Sequence, residues 1–422
     1  MNKQQFLVFG LLVLWGNYLC AQERKPLTLE SCYALAQTNY PLVKKRNLID
    51  KSKDYSIANA AKGYLPQLGI NGQATYQSAV TQIPIDMPGV EVPQLTKDQY
   101  KIYGEVDQTI YDGGVIKQKQ ELIKANAAIE EQDLNVGLHH LKERVHQLFF
   151  GILLVREQLQ QHLLLIKDID LGITQIHGAI AQGTALQSEA AVLQAERMKA
   201  LQQDVDLNAT YKAYLEMLGM FLDQPLDTAT SFVKPAFMLP TQELNRPELH
   251  LFKAKLQLLG VQEQSLMAQV RPKFDFFFQG GYGKPALNIL RPRFEAYYIG
   301  GLRVRWNLAS LYTLKKEKAL LENNRLMVTA DQETFLFDTK YRLKQEQAAM
   351  NRYQDLLQTD DAIITLRQQV KNAAAAQLAY GVITTSDYMR EVHAADQAQL
   401  GKIVHEIQLL AAQYTHRYIT GN

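Results

Sequence analysis

The sequence predicts a mainly α-helical protein with a small β part, in which one unit (a helix, a β-hairpin and a long helical hairpin) occurs twice. Three observations carry this. From Leu134 through Leu138, Leu141, Val145, Leu148, Ile152 and Val155 to Leu159 the apolar spacing alternates four and three, the mark of a helix burying a narrow seam against another helix. At Leu68, Ile70, Gly72, Ala74 and Tyr76, and again at Tyr100, Ile102, Gly104 and Val106, the period falls to two, with polar residues between, as in strands. The whole pattern then recurs. Pro247 answers Pro41 and Pro272 answers Pro66 at an offset of 206, while Trp306 answers Gln108 and Gly381 answers Gly183 at 198.

Among 422 residues, 45 Lys and Arg face 43 Asp and Glu, a net charge of +2 that gives no reason to expect nucleic acid. Residues 1–21 read as a secretory signal peptide, with Lys3, an apolar core from Phe6 to Trp15 and small residues at Cys20-Ala21. A short membrane anchor is the alternative, but the core is below the roughly 20 residues a span requires. Leu19 before Cys20 is a poor lipobox, so no lipid anchor is expected. Cleavage would leave Cys32 as the one cysteine, so disulfides are not expected to hold the protein together. No later apolar run is long enough to span a membrane as a helix. Entry into a bilayer would have to be by a β-barrel.

The first copy occupies 22–222. Leu27 to Asn39 reads as a helix opening at Thr28 and stopped by Asn39-Tyr40-Pro41, and Leu42 to Lys62 as a second helix, broken at Tyr64-Leu65-Pro66. Strands over about 64–78 and 98–111 flank an exposed loop, Ser78 to Thr96. Asp112-Gly113-Gly114 turns the chain into a helical hairpin over about 114–222. Its first arm, to Ile180, would extend roughly 100 Å at 1.5 Å per residue and is half polar, unlike a membrane helix. His162 interrupts its apolar seam, which resumes at Ile166, Ile169, Ile173 and Ile176. After Gly183, Ser188 is read as the cap of the returning helix, with Glu189 in its first turn. Residues 223–244, with Pro225, Pro235 and Pro240, form a linker.

The second copy, 245–422, has strands over about 273–284 and 294–308 and a helical hairpin over about 311–419. From strand end to turn glycine is 75 residues in each copy, Gln108 to Gly183 and Trp306 to Gly381. In the second long helix Leu336, Leu343, Met350, Leu357 and Ile364 recur every seventh residue, but Lys340, Gln347, Gln354 and Asp361 occupy the partner positions. Such a half-seam predicts a helix with water on a second side, either as the wall of an aqueous interior or as an exposed outer helix.

Four strands cannot close a barrel, since small closed barrels need about eight. Their alternation, with aromatic residues such as Tyr64, Tyr76, Tyr111, Tyr298 and Trp306 near strand ends, fits a lipid-facing band with aromatic girdles. Each chain is therefore expected to give four strands to a shared transmembrane β-barrel, most simply twelve from a homotrimer. An α-helical coiled-coil barrel would continue it.

Leu27-Thr28-Leu29-Glu30, Ala34-Leu35 and Asn39-Tyr40-Pro41-Leu42 resemble the opening signature of the TolC-type outer-membrane efflux proteins. Gly183 to Glu189 and Gly381 to Asp387 resemble that family's periplasmic tips, and the resemblance covers the whole mature chain. It implies an outer-membrane channel of a tripartite efflux or type I secretion system, a passive trimeric duct with a periplasmic helical extension. Its partners would be a periplasmic adaptor protein, an inner-membrane transporter and outer-membrane lipid, with no cofactor. The adaptor-docking tips would be Gly183, Thr184, Ala185, Leu186, Ser188 and Glu189, with Gly381, Val382, Ile383 and Ser386 in the second copy. The periplasmic aperture would be formed by Leu378, Ile383, Asp387 and Arg390. Asp387 matches a position in the family's acidic entrance ring. Arg390 stands where the best-known member has a second acid, and Leu378 and Ile383 replace its polar locking residues, which would make the closure apolar. The alternatives are a non-conducting outer-membrane-anchored coiled-coil spacer and a periplasmic adaptor, although an adaptor has no use for four amphipathic strands.

Catalysis is not expected, because no Ser/His/Asp or Cys/His set has recognisable local spacing. His139, Glu143 and His146 share one helical face, which reads either as a metal site or, more simply, as a solvated coiled-coil face. Gly280-Gly281-Tyr282-Gly283 lacks the strand-to-helix context of a phosphate loop and reads as strand glycines. Phe274 to Phe278 reads as a lipid-facing or packed strand.

Overall fold

The computed structural model describes residues 26–81, 96–238, 241 and 243–422. The signal peptide read over 1–21 and most of the loop read between Ser78 and Thr96 lie outside the described residues. The elements are α1 (Leu29–Asn39), α2 (Lys45–Ala61), β1 (Gln67–Tyr76), β2 (Asp98–Tyr111), α3 (Val115–Ala181), α4 (Gln187–Leu222), α5 (Pro247–Gln269), β3 (Lys273–Lys284), β4 (Glu295–Arg305), α6 (Ser310–Ala379) and α7 (Thr385–Thr420). They form two compact units that cut across the two sequence copies. One joins residues up to Tyr40 with His140–Leu244 and Tyr341–Asn422, and the other joins Pro41–His139 with Asn245–Lys340. Among the described residues, no helix is long and apolar enough to cross a membrane.

The second of these units holds the sheet, whose four strands run antiparallel in the order β1-β2-β3-β4. Register places Leu68 opposite Val106, Ile102 opposite Tyr282, Val106 opposite Phe278 and Phe276 opposite Leu302. Because side chains alternate between faces, one face is mainly apolar and largely exposed, interrupted by Gln108 and bordered at one end by the Asp98–Lys284 ion pair. A bulge between Thr109 and Tyr111 brings Tyr111 opposite Phe274, so their rings meet on that same face, 6.1 Å apart. The opposite face is a polar network. Arg303 pairs with Asp107 at 3.2 Å and Glu105 at 3.5 Å, and Gln279 donates to Glu105. Arg305 pairs with the buried Asp275 at 2.7 Å. β1 and β4 each pair on one side only.

The strand-to-helix corner is fixed by Asp112. Its carboxylate accepts the amides of Gly114 at 2.8 Å and Ile116 at 2.5 Å, which would otherwise be orphans at the start of α3. Gly113 takes φ +75°, and a side chain there would meet the Ala268 carbonyl. From the other copy, Arg271 donates to the Gly113 carbonyl at 3.2 Å, and Trp306 Nε1 donates to Val270 O at 3.0 Å.

The helical unit packs α1 into its core. Thr28 and Ser31 form a capping box at the start of α1. Leu29, Cys32 and Ala36 then bury against Val145, Phe149 and Ile152 of α3, Leu215 and Leu218 of α4, and Ile407 and Tyr414 of α7. Burial pushes the Cys32 thiol up to about 12, leaving it protonated and unreactive. Phe232, beyond α4, joins this core, and its segment bridges Leu27 in parallel. In α6, Met350 is buried and Leu336, Leu343, Leu357 and Ile364 are half-buried, while Lys340, Gln354 and Asp361 face solvent. The half-seam is thus a packed stripe on an otherwise exposed helix.

Two readings of α3 are corrected. His139 and His146 are buried rather than part of a solvated face. Only Glu143 keeps a surface role, as the partner of Arg342 at 3.1 Å. His162, the break in the seam, is also buried and donates from Nε2 to the Ala200 carbonyl at 2.6 Å. Helix α3 packs on more than one side, and a search for a single seam finds only the strongest.

His146 shares a 3.0 Å hydrogen bond with Thr415 Oγ1 and packs on Phe150, and burial lowers its pKa from 6.5 to about 4. The unfolded chain therefore binds this proton at a higher pH than the folded one. The stability carried by neutral His146 is complete above about pH 6.5 and is lost as pH falls towards 4, an effect of about 3 kcal/mol. Thermal denaturation from pH 7 to 4.5 should show a fall in midpoint that His146→Gln reduces. An identical pH profile in the variant would assign the dependence elsewhere.

Candidate functional site

The sequence points to the two helix-to-helix connections, and their backbones are copies of each other. In the first, Gly183 at φ +70° donates to Ile180 O at 3.0 Å, and Thr184 donates its amide to Ala179 O at 2.9 Å. In the second, Gly381 at φ +70° donates to Leu378 O at 3.0 Å, and Val382 to Gln377 O at 2.9 Å. Both are Schellman endings, which need a left-handed residue and therefore favour glycine. Thr184 adds a side-chain bond to Ala179 O at 3.0 Å.

The returning helices start at equivalent positions but are capped differently. Leu186 occupies the cap position of α4, and its side chain makes no capping bond. Ser188, read from sequence as the cap, lies inside the first turn and is exposed; Glu189 beside it is half-buried. In the second copy Thr384 caps α7 in a capping box. Asp387 N donates to Thr384 Oγ1 at 3.1 Å, and Thr384 Oγ1 donates to Asp387 Oδ2 at 2.7 Å. The spacing Thr384-x-x-Asp387 is the sequence signal of this box. The other oxygen, Oδ1, accepts from Arg390 Nη1 at 3.1 Å. The Thr384 hydroxyl and amide, and then Arg390, hold the Asp387 carboxyl below the usual carboxylate range.

Beneath the turns both hairpins share one core. Leu165, Ile169, Ile176 and Leu193 of the first meet Leu378, Tyr388, Met389 and Val392 of the second. Full burial of each such side chain contributes about 1.5–3 kcal/mol. Ala185 and Ile383 pack on its margin, and Thr385 is buried next to Ile383. Leu378, expected in an apolar aperture, is only 5% exposed, so its side chain is committed to packing within the chain. By contrast Leu186 and Val382 are each 69% exposed. Ser386 and Arg390 are exposed as well.

Polar contacts missed from sequence also join the two hairpins. Lys371 binds Asp168 at 2.6 Å, Gln161 donates to Asp396 at 2.9 Å, and His393 meets Glu196 at 3.1 Å. Burial raises the pKa of Asp396. These partners lie about 200 residues apart in sequence, where local spacing gives no signal.

No group of three or more metal-ligating side chains occurs among the described residues. The glycine run 280–283 lies within β3, where a side chain on Gly281 would strike Tyr103. Phe274, Phe276 and Phe278 lie on the apolar face of the sheet. Phe277 points to the polar face, where the Arg303 guanidinium stands 4.5 Å from its ring centre.

No protein-family profile matches the sequence, and neither does any curated protein. Solved structures do match. VceC, an outer membrane protein of Vibrio cholerae, has a TM-score of 0.68, over 93% of this chain and 96% of VceC, at 12% identity. The outer-membrane channel OprN has a TM-score of 0.69, over 93% of this chain and 89% of OprN, also at 12% identity. The fold is that of the TolC-type outer-membrane channels. The CmeC outer membrane channel of Campylobacter jejuni is similar too, with a TM-score of 0.66 over 93% of this chain and 85% of CmeC, at 12% identity. In this TolC-type fold the side chains at the turns are therefore to be judged from their own geometry.

That geometry gives a direct test. Leu186 already has the extended backbone a cap requires, φ −91° and ψ 149°, close to the −77° and 159° of Thr384. Leu186→Thr should complete a capping box with Glu189 and stabilise the tip by about 1 kcal/mol. Hydrogen exchange in the first turn of α4 should slow. Unchanged or faster exchange would mean that the leucine itself holds the turn.

Proposed function

We propose that this protein is an outer-membrane channel, a trimeric duct that carries cargo from an inner-membrane transporter across the periplasm and the outer membrane. The observation that carries the reading is the sheet: one face mainly apolar and exposed, the other carrying a network of ion pairs, and two edges left open. Lipid on the apolar side and water on the polar side satisfy both faces. Open edges are not tolerated in hydrocarbon, so three chains join to close a twelve-stranded barrel. The match to VceC, OprN and CmeC along nearly their whole lengths supports it. An adaptor or a sealed spacer gives the charged inner face no task. Mass measurement in mild detergent should give a trimer, which should conduct in a planar bilayer. A monomer that inserts and conducts would overturn this assembly.

The tips Gly183 to Glu189 and Gly381 to Ser386 dock a periplasmic adaptor protein, with Leu186 and Val382 as the apolar contacts. Replacing both with Asp should abolish export while trimer and conductance persist. Asp is itself a good cap residue, so Leu186→Asp leaves the start of α4 supported. Export at the wild-type level in the double variant would place docking elsewhere.

In a trimer Asp387 and Arg390 recur three times around the aperture. Because Arg390 neutralises Asp387, cation preference should be weak; Arg390→Asp should strengthen it and Asp387→Ala should reduce it. Reversal potentials across a salt gradient measure this. Equal values for wild type and both variants would remove these residues from the conducting path.

A further inference from the structure

We propose that the helix-side end of the sheet carries a cationic collar that binds the headgroups of anionic phospholipid; this rests on the outer-membrane reading above. Chain order brings the end of α2, the start of α3, the end of α5 and the start of α6 to the same end of the four strands. That end is ringed by exposed aromatic side chains: Tyr64, Tyr111, Phe274, Trp306 and Tyr312. Such rings mark the level where hydrocarbon gives way to headgroups. Lys62, Lys117, Lys119, Arg271, Lys315 and Lys316 stand exposed within a few residues of them.

These cations lack acidic counterparts. Among the described residues, Lys62, Lys117, Lys119, Lys315 and Lys316 have no ion-pair partner, and Arg271 bonds a carbonyl. The acids nearby are occupied: Asp112 by the amides of α3, and Asp275 by Arg305. Glu317, between the lysines in sequence, lines a groove with Leu122, Leu266 and Leu320. Placement on the helices makes the excess more telling. Neither α3 nor α6 has an acid in its first turn, and Lys117 lies in the first turn of α3. A lysine there opposes the helix dipole, and the one carboxylate at the start of α3, Asp112, is taken up by the Gly114 and Ile116 amides rather than by a lysine. Unpaired lysines beneath an aromatic girdle form a surface complementary to a layer of phosphate diesters. Phosphatidylglycerol-type headgroups, with net negative charge, satisfy it; zwitterionic headgroups neutralise themselves.

The test offers the purified full-length protein, in neutral detergent, equal amounts of phosphatidylglycerol and phosphatidylcholine and measures retained lipid by native mass spectrometry. The wild type should retain phosphatidylglycerol over phosphatidylcholine by at least about fivefold, a preference that falls with salt. The variant Lys117→Gln/Lys119→Gln/Lys315→Gln/Lys316→Gln should bring the ratio close to one, while still inserting into phosphatidylcholine vesicles with wild-type conductance. Equal retention by the wild type, or an undiminished preference in the variant, overturns the collar. So does displacement of the lipid by millimolar inorganic phosphate, which would mark a site for free anions. Failure of the wild type to enter vesicles of either lipid overturns the outer-membrane reading itself.

Discussion

A β-sheet with an exposed apolar face and two open edges is the constraint on which the rest of this structure depends. Backbone groups along β1 and β4 must find partners, and the side chains from Leu68 to Val304 on the apolar face must leave water. The polar face is already satisfied within the chain, because Arg303 and Arg305 answer Asp107, Glu105 and Asp275. The solvent requirements of the two faces are therefore opposite. The corner at Asp112 has to hold that sheet to helices obeying a different periodicity, and it does so with both carboxylate oxygens and a stretch of backbone only glycine fits.

Much of the fold was legible because its two periods are clean. Alternation by two marks the strands, since each has one apolar face, and alternation by four and three marks α3, since its strongest seam is continuous. What escaped the sequence were features set by a second partner. His139 and His146 lie off the main seam, so their burial became visible only with the surrounding helices in place. The bulge between Thr109 and Tyr111 leaves no mark in composition, yet it decides that Tyr111 meets Phe274. At the turns, Asp387 and Arg390 form an i, i+3 ion pair, a contact that depends only on local helix geometry and so is carried by the sequence itself. The burial of Leu378 in the shared hairpin core is likewise set by a second partner, since apolar residues near a turn look alike in sequence whether they face a passage or the core.

The two turns show one backbone put to two uses. Matching Schellman bonds and matching glycine angles give them the same frame. The second keeps a full capping box and a compensated charge. The first gives up its side-chain cap to hold a leucine in solvent. Exposure of that leucine brings no benefit to the isolated chain, so the local sacrifice points to a role outside it.

The equal spans between strand end and turn glycine have an evolutionary consequence. Gln108 to Gly183 and Trp306 to Gly381 each measure 75 residues, joined by helices whose hairpins share a core. Inserting one heptad in a single copy would lengthen that arm by about 10 Å at 1.5 Å per residue and leave the other turn behind. Indels in these helices are therefore expected to survive only as coordinated pairs, in multiples that preserve the seam. The two halves of the gene are bound to change length together, as the legs of a trestle must.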